Sequence, residues 1–177
     1  MGQLKMYWKN DGKAANYPTL PENVEIIPFC ELENAKEEWL SIMNYGSMLP
    51  EVREEGKDYY LECMNGFKYY KDELCFIIRV GGVSAASITV VCDYDTKEGL
   101  IHMVGAKPEF RGLGLGNLMC KLALWVLKKE GMETSLLRTD DWRIPAIKTY
   151  LKIGFTPDIE SEEDFPARWD KIFEIIK

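Results

Sequence analysis

Between Leu100 and Gly116 the chain reads LIHMVGAKPEFRGLGLG: an apolar run, a basic residue, then three glycines alternating with leucines. Gly112, Gly114 and Gly116 remove side chains from a turn, so a large ligand can meet bare backbone N–H groups there. Behind them Leu115, Leu118, Met119, Leu122 and Val126 share one helical face. The first-turn amides of a helix are unpaired and its dipole favours negative charge, so a glycine turn opening a helix is an anion site. Arg111 adds a cation at its mouth. The chemistry predicted here is anion binding on a strand, turn and helix.

The elements that must position this turn follow from the pattern on either side. Glu73 to Val80, the Gly81-Gly82 turn and Val83 to Asp93 read as a β-hairpin, and Asp95 to Gly99 turns the chain into the strand Leu100 to Lys107. The long helix ends at Gly131. A crossover helix implies that Thr134 to Thr139 lies parallel to the strand ending at Lys107. Asp140 and Asp141 can cap a helix from Trp142 to Ile153, whose apolar face is Ile144, Ile147, Tyr150 and Leu151. Phe155 to Ile159 offers one more strand, and Asp164 to Ile176 a closing amphipathic helix.

Earlier in the chain the pattern is looser. Residues 1–23 read as an N-terminal extension in which Leu4, Met6 and Trp8 alternate enough for a short strand. Val24 to Phe29 is a core strand, and Ala35, Trp39, Ile42 and Met43 mark a helix over Leu32 to Tyr45. Pro50 to Met64 is a second helix candidate, with Gly46 and Pro50 punctuating the join. Its Glu51, Glu54, Glu55 and Asp58 either attract a cationic substrate or form a solvated face. Tyr59, Tyr60, Tyr69 and Tyr70 line a pocket or pack in the core.

The 177 residues are 46% hydrophobic and 29% charged, which suits one soluble α/β domain with a sizeable core. No apolar run approaches the ~18 residues of a membrane span, and the first residues lack a signal-peptide core, so neither a membrane nor secretion is expected. A net charge of −7 argues against a nucleic-acid partner. Five widely spaced cysteines, no CxxC and one histidine predict no metal site and free thiols in a reducing cytoplasm.

Three ligand classes use such a glycine turn. No Lys-Ser or Lys-Thr follows Gly116, against a P-loop, and the spacing and the antiparallel strands before it do not suit a dinucleotide fold. Coenzyme A, whose pyrophosphate can sit on the same turn, is the third. At this point the chain resembles the GNAT superfamily of acyl-CoA-dependent N-acyltransferases. That family's [Q/R]-x-x-G-x-[G/A] motif is matched by Arg111, Gly114 and Gly116, preceded by Pro108, Glu109 and Phe110. Its second motif is matched by Ala146, Tyr150, Gly154 and Phe155. The resemblance is specific over about residues 73–160. Where the family often has an asparagine, this chain has Arg143, whose role is left unassigned.

The resemblance implies a single GNAT-like domain over residues 1–177, with a mixed, mostly antiparallel central sheet flanked by helices and a splayed parallel strand pair. Acetyl-CoA would lie between Leu100–Lys107 and Thr134–Thr139, strands that can part where Gly105 permits a bulge. A backbone N–H near Val104 would polarise the thioester carbonyl and Ala106 would pair with the pantetheine arm. The amides of Arg111, Gly112, Leu113, Gly114, Leu115 and Gly116 would take the pyrophosphate, with Asn117 adding a side-chain donor. Tyr150 matches the family's general acid, although it equally suits a core stripe.

For the base there are three options: His102, placed by alternation on the face of Leu100 and Val104; Glu98 on that same face; or water. Trp142 borders the acyl pocket or packs at a helix start. The expected reaction is direct acetyl transfer to a small primary amine, with a homodimer left open. Protein N-terminal acetylation and a non-catalytic acyl-CoA sensor are the alternatives.

Overall fold

Leu4, Met6 and Trp8 do more than decorate an extension. In the computed structural model, which describes residues 2–45, 49, 55 and 57–177, they are the buried face of strand β1 (Leu4–Lys9). After it come β2 (Val24–Pro28), α1 (Ala35–Met43), β3 (Cys75–Val80), β4 (Val83–Asp93), β5 (Glu98–Ala106) and α2 (Leu115–Lys129). The chain closes with β6 (Thr134–Thr139), α3 (Ile144–Lys152), β7 (Thr156–Pro157) and α4 (Phe165–Ile176). One seven-stranded sheet forms in the order β2-β3-β4-β5-β6-β1-β7. All neighbouring pairs are antiparallel except β5 and β6, which are parallel. That is the mixed α/β sheet expected. The N-terminal strand fills an interior place in it, between β6 and the two-residue β7.

Both faces of the sheet are covered, and period-two alternation divides them. Ala86, Ile88, Val90 and Cys92 of β4 join a large core with α2, α3 and α4, whereas Cys75 and Ile77 of β3 join a smaller core with Trp39, Ile42 and Met43 of α1. Gly99 shows how closely α2 lies on β5: a Cβ there would come 2.1 Å from Leu127 Cδ2. On the other face Glu38 of α1 binds Arg79 and Ser84, its carboxylate accepting from Arg79 Nε at 3.2 Å.

Of the second helix read over residues 50–64, Pro50, Glu51, Val52 and Glu54 lie outside the described residues, as does Gly46. Residues 59–60 are helical and Leu61–Asn65 form a wide π turn that packs Met64 into the smaller core. No helix among the described residues is long and apolar enough to cross a membrane. Nor, among them, does any group of three or more His, Cys, Asp or Glu side chains gather as a metal site would.

Candidate active site

Pro108 cannot continue a sheet ladder, and the chain leaves β5 through one 3-10 turn, Pro108–Phe110. Gly112 and Gly114 then take φ of +83° and +75°, the left-handed region that side chains disfavour, and α2 begins at Leu115. The first main-chain bond into the helix is Leu118 N–H to Gly114 O at 3.0 Å. From Gly112 through Asn117 the amides therefore have no partner among the described residues. A Cβ on Gly112, Gly114 or Gly116 would meet nothing within 4 Å, so the cradle is open. Leu113 points to solvent and Leu115 into the core, leaving their amides as what they offer a ligand. Arg111 corrects the expectation at one atom: its N–H donates to Pro108 O at 3.1 Å, so the free donors start at Gly112.

Beside the turn the sheet opens. Parallel pairing runs from Glu98↔Thr134 to Ile101↔Leu137 and stops, although β5 continues to Ala106 and β6 to Thr139. The cause is a bulge. Thr89 pairs with His102 but Ser87 with Gly105, so β5 carries one residue too many opposite Ile88. The residue with the unusual backbone is Met103, at φ +48°; Gly105, expected to permit the bulge, keeps ordinary pairing with Ser87. Lys107 N–H donates to Ala85 O at 2.8 Å, which fixes the ladder's phase. One residue earlier, Ala106 must turn its N–H and C=O towards the opening. Val104 follows the bulge directly on the same strand, its side chain packed on the larger core.

The extra residue also moves His102. Alternation from Val104 would put both on one face, but Val104 packs with α2 while His102 lies on the α1 side, its ring 4.5 Å from that of Phe67. His102 Nε2 is 2.7 Å from the carbonyl oxygen of Cys63. A carbonyl only accepts, so Nε2 carries the proton and Nδ1 holds the free lone pair. Burial, partly offset by that hydrogen bond, and then the charge of Arg138 hold the imidazole below its ordinary pKa. Glu98 is not brought to this place. It is exposed at the closed end of the β5–β6 pair, four residues and about 13 Å along the strand from His102.

Tyr150 lies on the buried face of α3, its ring 6.3 Å from that of Phe155. Burial, with Cys120 nearby, pushes its phenol above the usual range, and Arg143 opposes this. Its hydroxyl has no partner among the described residues and is not among their fully enclosed, unpaired polar atoms. Arg143, at the start of α3, pairs with Asp140 at 3.0 Å and lies 4.7 Å from the ring of Trp142. Trp142 is 62% exposed, so it is not packed at the helix start.

Several other residues are accounted for by local bonds. Asp58 pairs with Lys36 at 2.7 Å and accepts from Leu61 N–H, so it is not a bare carboxylate awaiting a cation. Glu55 is exposed. The Tyr60 and Tyr70 hydroxyls lie 3.1 Å apart in the smaller core, Tyr59 is buried there, and Tyr69 donates to Asp95. Thr139 had no signal in the sequence. It is 2% exposed at the open end of β6, and its Oγ1 is buried without a partner among the described residues. An orphaned hydroxyl at this place fits a ligand in the opening.

Free amides on a glycine turn beside a parted parallel pair are what a pyrophosphate with an extended amide-bearing arm requires. Comparison with known proteins gives the family. Residues 35–155 match the Acetyltransferase (GNAT) family, and the chain belongs to that family. A mycothiol acetyltransferase of Streptomyces bingchenggensis is 28% identical over 143 residues, which are 78% of this chain and 45% of that protein. The chain thus spans about half the length of that relative. Among solved structures, a GCN5-related N-acetyltransferase from Sphaerobacter thermophilus shares the fold with a TM-score of 0.67 at 15% identity, over 89% of this chain and 50% of that one. Arabidopsis thaliana Naa50, in complex with a bisubstrate analogue CoA-Ac-MVNAL, aligns with a TM-score of 0.56 at 21% identity, over 76% of this chain and 83% of that one.

Proposed function

We propose that this protein transfers an acetyl group from acetyl-CoA to the primary amine of a small molecule by direct attack in a ternary complex. The observation that carries the reading is the run of unpartnered amides from Gly112 to Asn117 opening onto the parted β5 and β6. The pyrophosphate binds those amides and the α2 dipole. The pantetheine amides pair with Ala106, whose polar groups face the opening, and the Val104 amide stabilises charge developing on the thioester oxygen.

The amine enters from the α1 side, where His102 lies, and the thioester from the α2 side, where Tyr150 lies. His102 Nδ1 takes a proton from the substrate ammonium, whose pKa is near ~10.4 when unperturbed. The neutral amine attacks the carbonyl carbon, the C–S bond breaks, and Tyr150 gives its phenolic proton to the leaving thiolate. A base on one face and an acid on the other allow both proton transfers without either group crossing the sheet. The five free cysteines suit a reducing cytosol as the setting.

Calorimetric titration with acetyl-CoA tests the cofactor site. Wild type binds and Gly114→Glu does not, because the added carboxylate enters the open cradle and repels the pyrophosphate. A folded wild type that fails to bind would remove the reading. Once binding is shown, a screen of small amines, with Tyr150→Phe as control, identifies the acceptor.

A further inference from the structure

Far from the glycine turn the protein has a second cavity. It lies where the C-terminal half of α2 passes the sheet's outer strands β2 and β3, about 14 to 20 Å along the helix axis from Gly116. Its volume is about 440 Å³, within the size range of small-molecule sites. The floor is apolar, formed by Ile26, Phe76 and Val126. One wall is aromatic: Tyr17 meets Trp125 edge-on, with ring centres 5.0 Å apart. That aromatic surface already takes a cation, since Lys129 Nζ lies 4.8 Å from the centre of the Trp125 ring.

The rim decides the occupant. Glu31, Glu73 and Glu130 stand there with Lys129 as the single cation among the lining residues. Glu130 is engaged, accepting from Tyr94 at 2.6 Å. Glu31 and Glu73 make no hydrogen bond or ion pair with any described residue. An apolar floor, an aromatic wall and two unpaired carboxylates match one chemistry, an ammonium head on an apolar body. A neutral ligand would leave the carboxylates unused, and an anion would be repelled by them.

We infer that this cavity is a second ligand site, separate from the acetyl-transfer cleft, for a small organic ammonium ion with an apolar body. The ammonium is held between Glu31 and Glu73, and the body lies on Ile26 and Phe76 against Trp125. The site needs no acetyl-CoA, so the inference stands or falls independently of the proposed reaction.

Titration of the ¹⁵N-labelled protein with 2-phenylethylamine, following the Trp125 indole N–H by NMR, tests it. The expected result is a saturable shift of that signal, at least tenfold weaker binding by the Glu31→Gln/Glu73→Gln variant, and at least tenfold weaker binding of 2-phenylethanol. Both glutamates are exposed, so the variant keeps its fold, which its unchanged amide spectrum verifies. An absent or non-saturating shift overturns the inference. So does equal binding by the variant or by the alcohol, which would reduce the cavity to an apolar crevice. Shifts confined to Phe67 and His102 would place the amine in the catalytic cleft alone and overturn it as well.

Discussion

His102 donates its Nε2 proton to the main-chain oxygen of Cys63 across 2.7 Å. The bond ties β5 to the π turn across the sheet face and leaves Nδ1 as the ring's only basic atom. Burial of the ring, which that bond only partly offsets, sets how this residue responds to acid. The folded-state pKa lies below the value of about 6.5 for an unfolded chain, so the unfolded state binds the proton first. The imidazole's contribution is complete above about pH 6.5 and is lost as pH falls from there towards the folded pKa. The urea midpoint of wild type should therefore drop between pH 7 and pH 5.5 more steeply than that of His102→Gln, whose amide can still donate to Cys63. Parallel curves for the two proteins would disprove the coupling.

The same substitution separates structure from catalysis. Gln keeps the hydrogen bond but has no base, so kcat/KM for the amine should fall about 10²-fold and the acid limb of the pH–rate profile should vanish. A His102→Gln enzyme with an unchanged pH profile would leave water as the base.

Tyr150 makes the opposite combination of expectations. Its hydroxyl satisfies no described partner, so Tyr150→Phe should change the melting temperature by less than the ~2–4 °C that losing a typical hydrogen bond of ~1 kcal/mol would cause in a chain of this size. Turnover should fall about 10²-fold with the KM for acetyl-CoA unaltered. Because burial raises the phenol above its usual range, the hydroxyl stays protonated throughout neutral pH, as an acid must. A full-rate Tyr150→Phe enzyme would make the residue a core aromatic.

Gly116 distinguishes a helix residue from a binding residue. It has no positive φ, and a Cβ there meets open space. Alanine in the first turn of α2 should raise stability by about 0.5–1 kcal/mol through helix propensity. Yet that methyl group enters the open space proposed above for the pyrophosphate. Thermal melts and calorimetry together should show a more stable protein that binds acetyl-CoA more weakly; unchanged affinity would detach Gly116 from the site.

Glu38 holds α1 on the sheet. Burial raises its carboxyl, but the hydrogen bonds from Arg79 and Ser84 outweigh this and hold the carboxyl below its usual range. The stability it contributes is present above an unfolded value of about 4.3 and is lost as pH falls through the lower folded value. Glu38→Gln should cost about 1–3 kcal/mol at pH 7, measured by urea unfolding, with the difference shrinking below pH 4. A pH-independent difference would mean that packing, not charge, is lost.

Much of this was legible because it is local. The turn's six free amides need only the run from Pro108 to Asn117: a proline to leave the strand, glycines for positive φ, and an apolar stripe to make the next residues helical. The β4 and β6 boundaries follow from hydrophobic runs between turn residues, and the parallel pairing of β5 with β6 from the crossover helix α2 that joins them. The turn and the strand boundaries are decided among near neighbours by residue type, and the parallel pairing by the handedness rule for the helix that joins the two strands.

What the tertiary structure decided comes down to registers and distant partners. One extra residue at Met103, a position where nothing in the residue type announces a positive φ, reversed the face of His102 relative to Val104 and parted β5 from β6. The Arg111 amide was lost to Pro108 O because the 3-10 turn closes on itself. The N-terminal strand joined the sheet between β6 and β7 because β6 had a free edge that a segment more than 120 residues away could pair. Composition and spacing carry the free energy of local choices, whereas a bulge or a strand insertion is chosen by packing summed over the whole sheet.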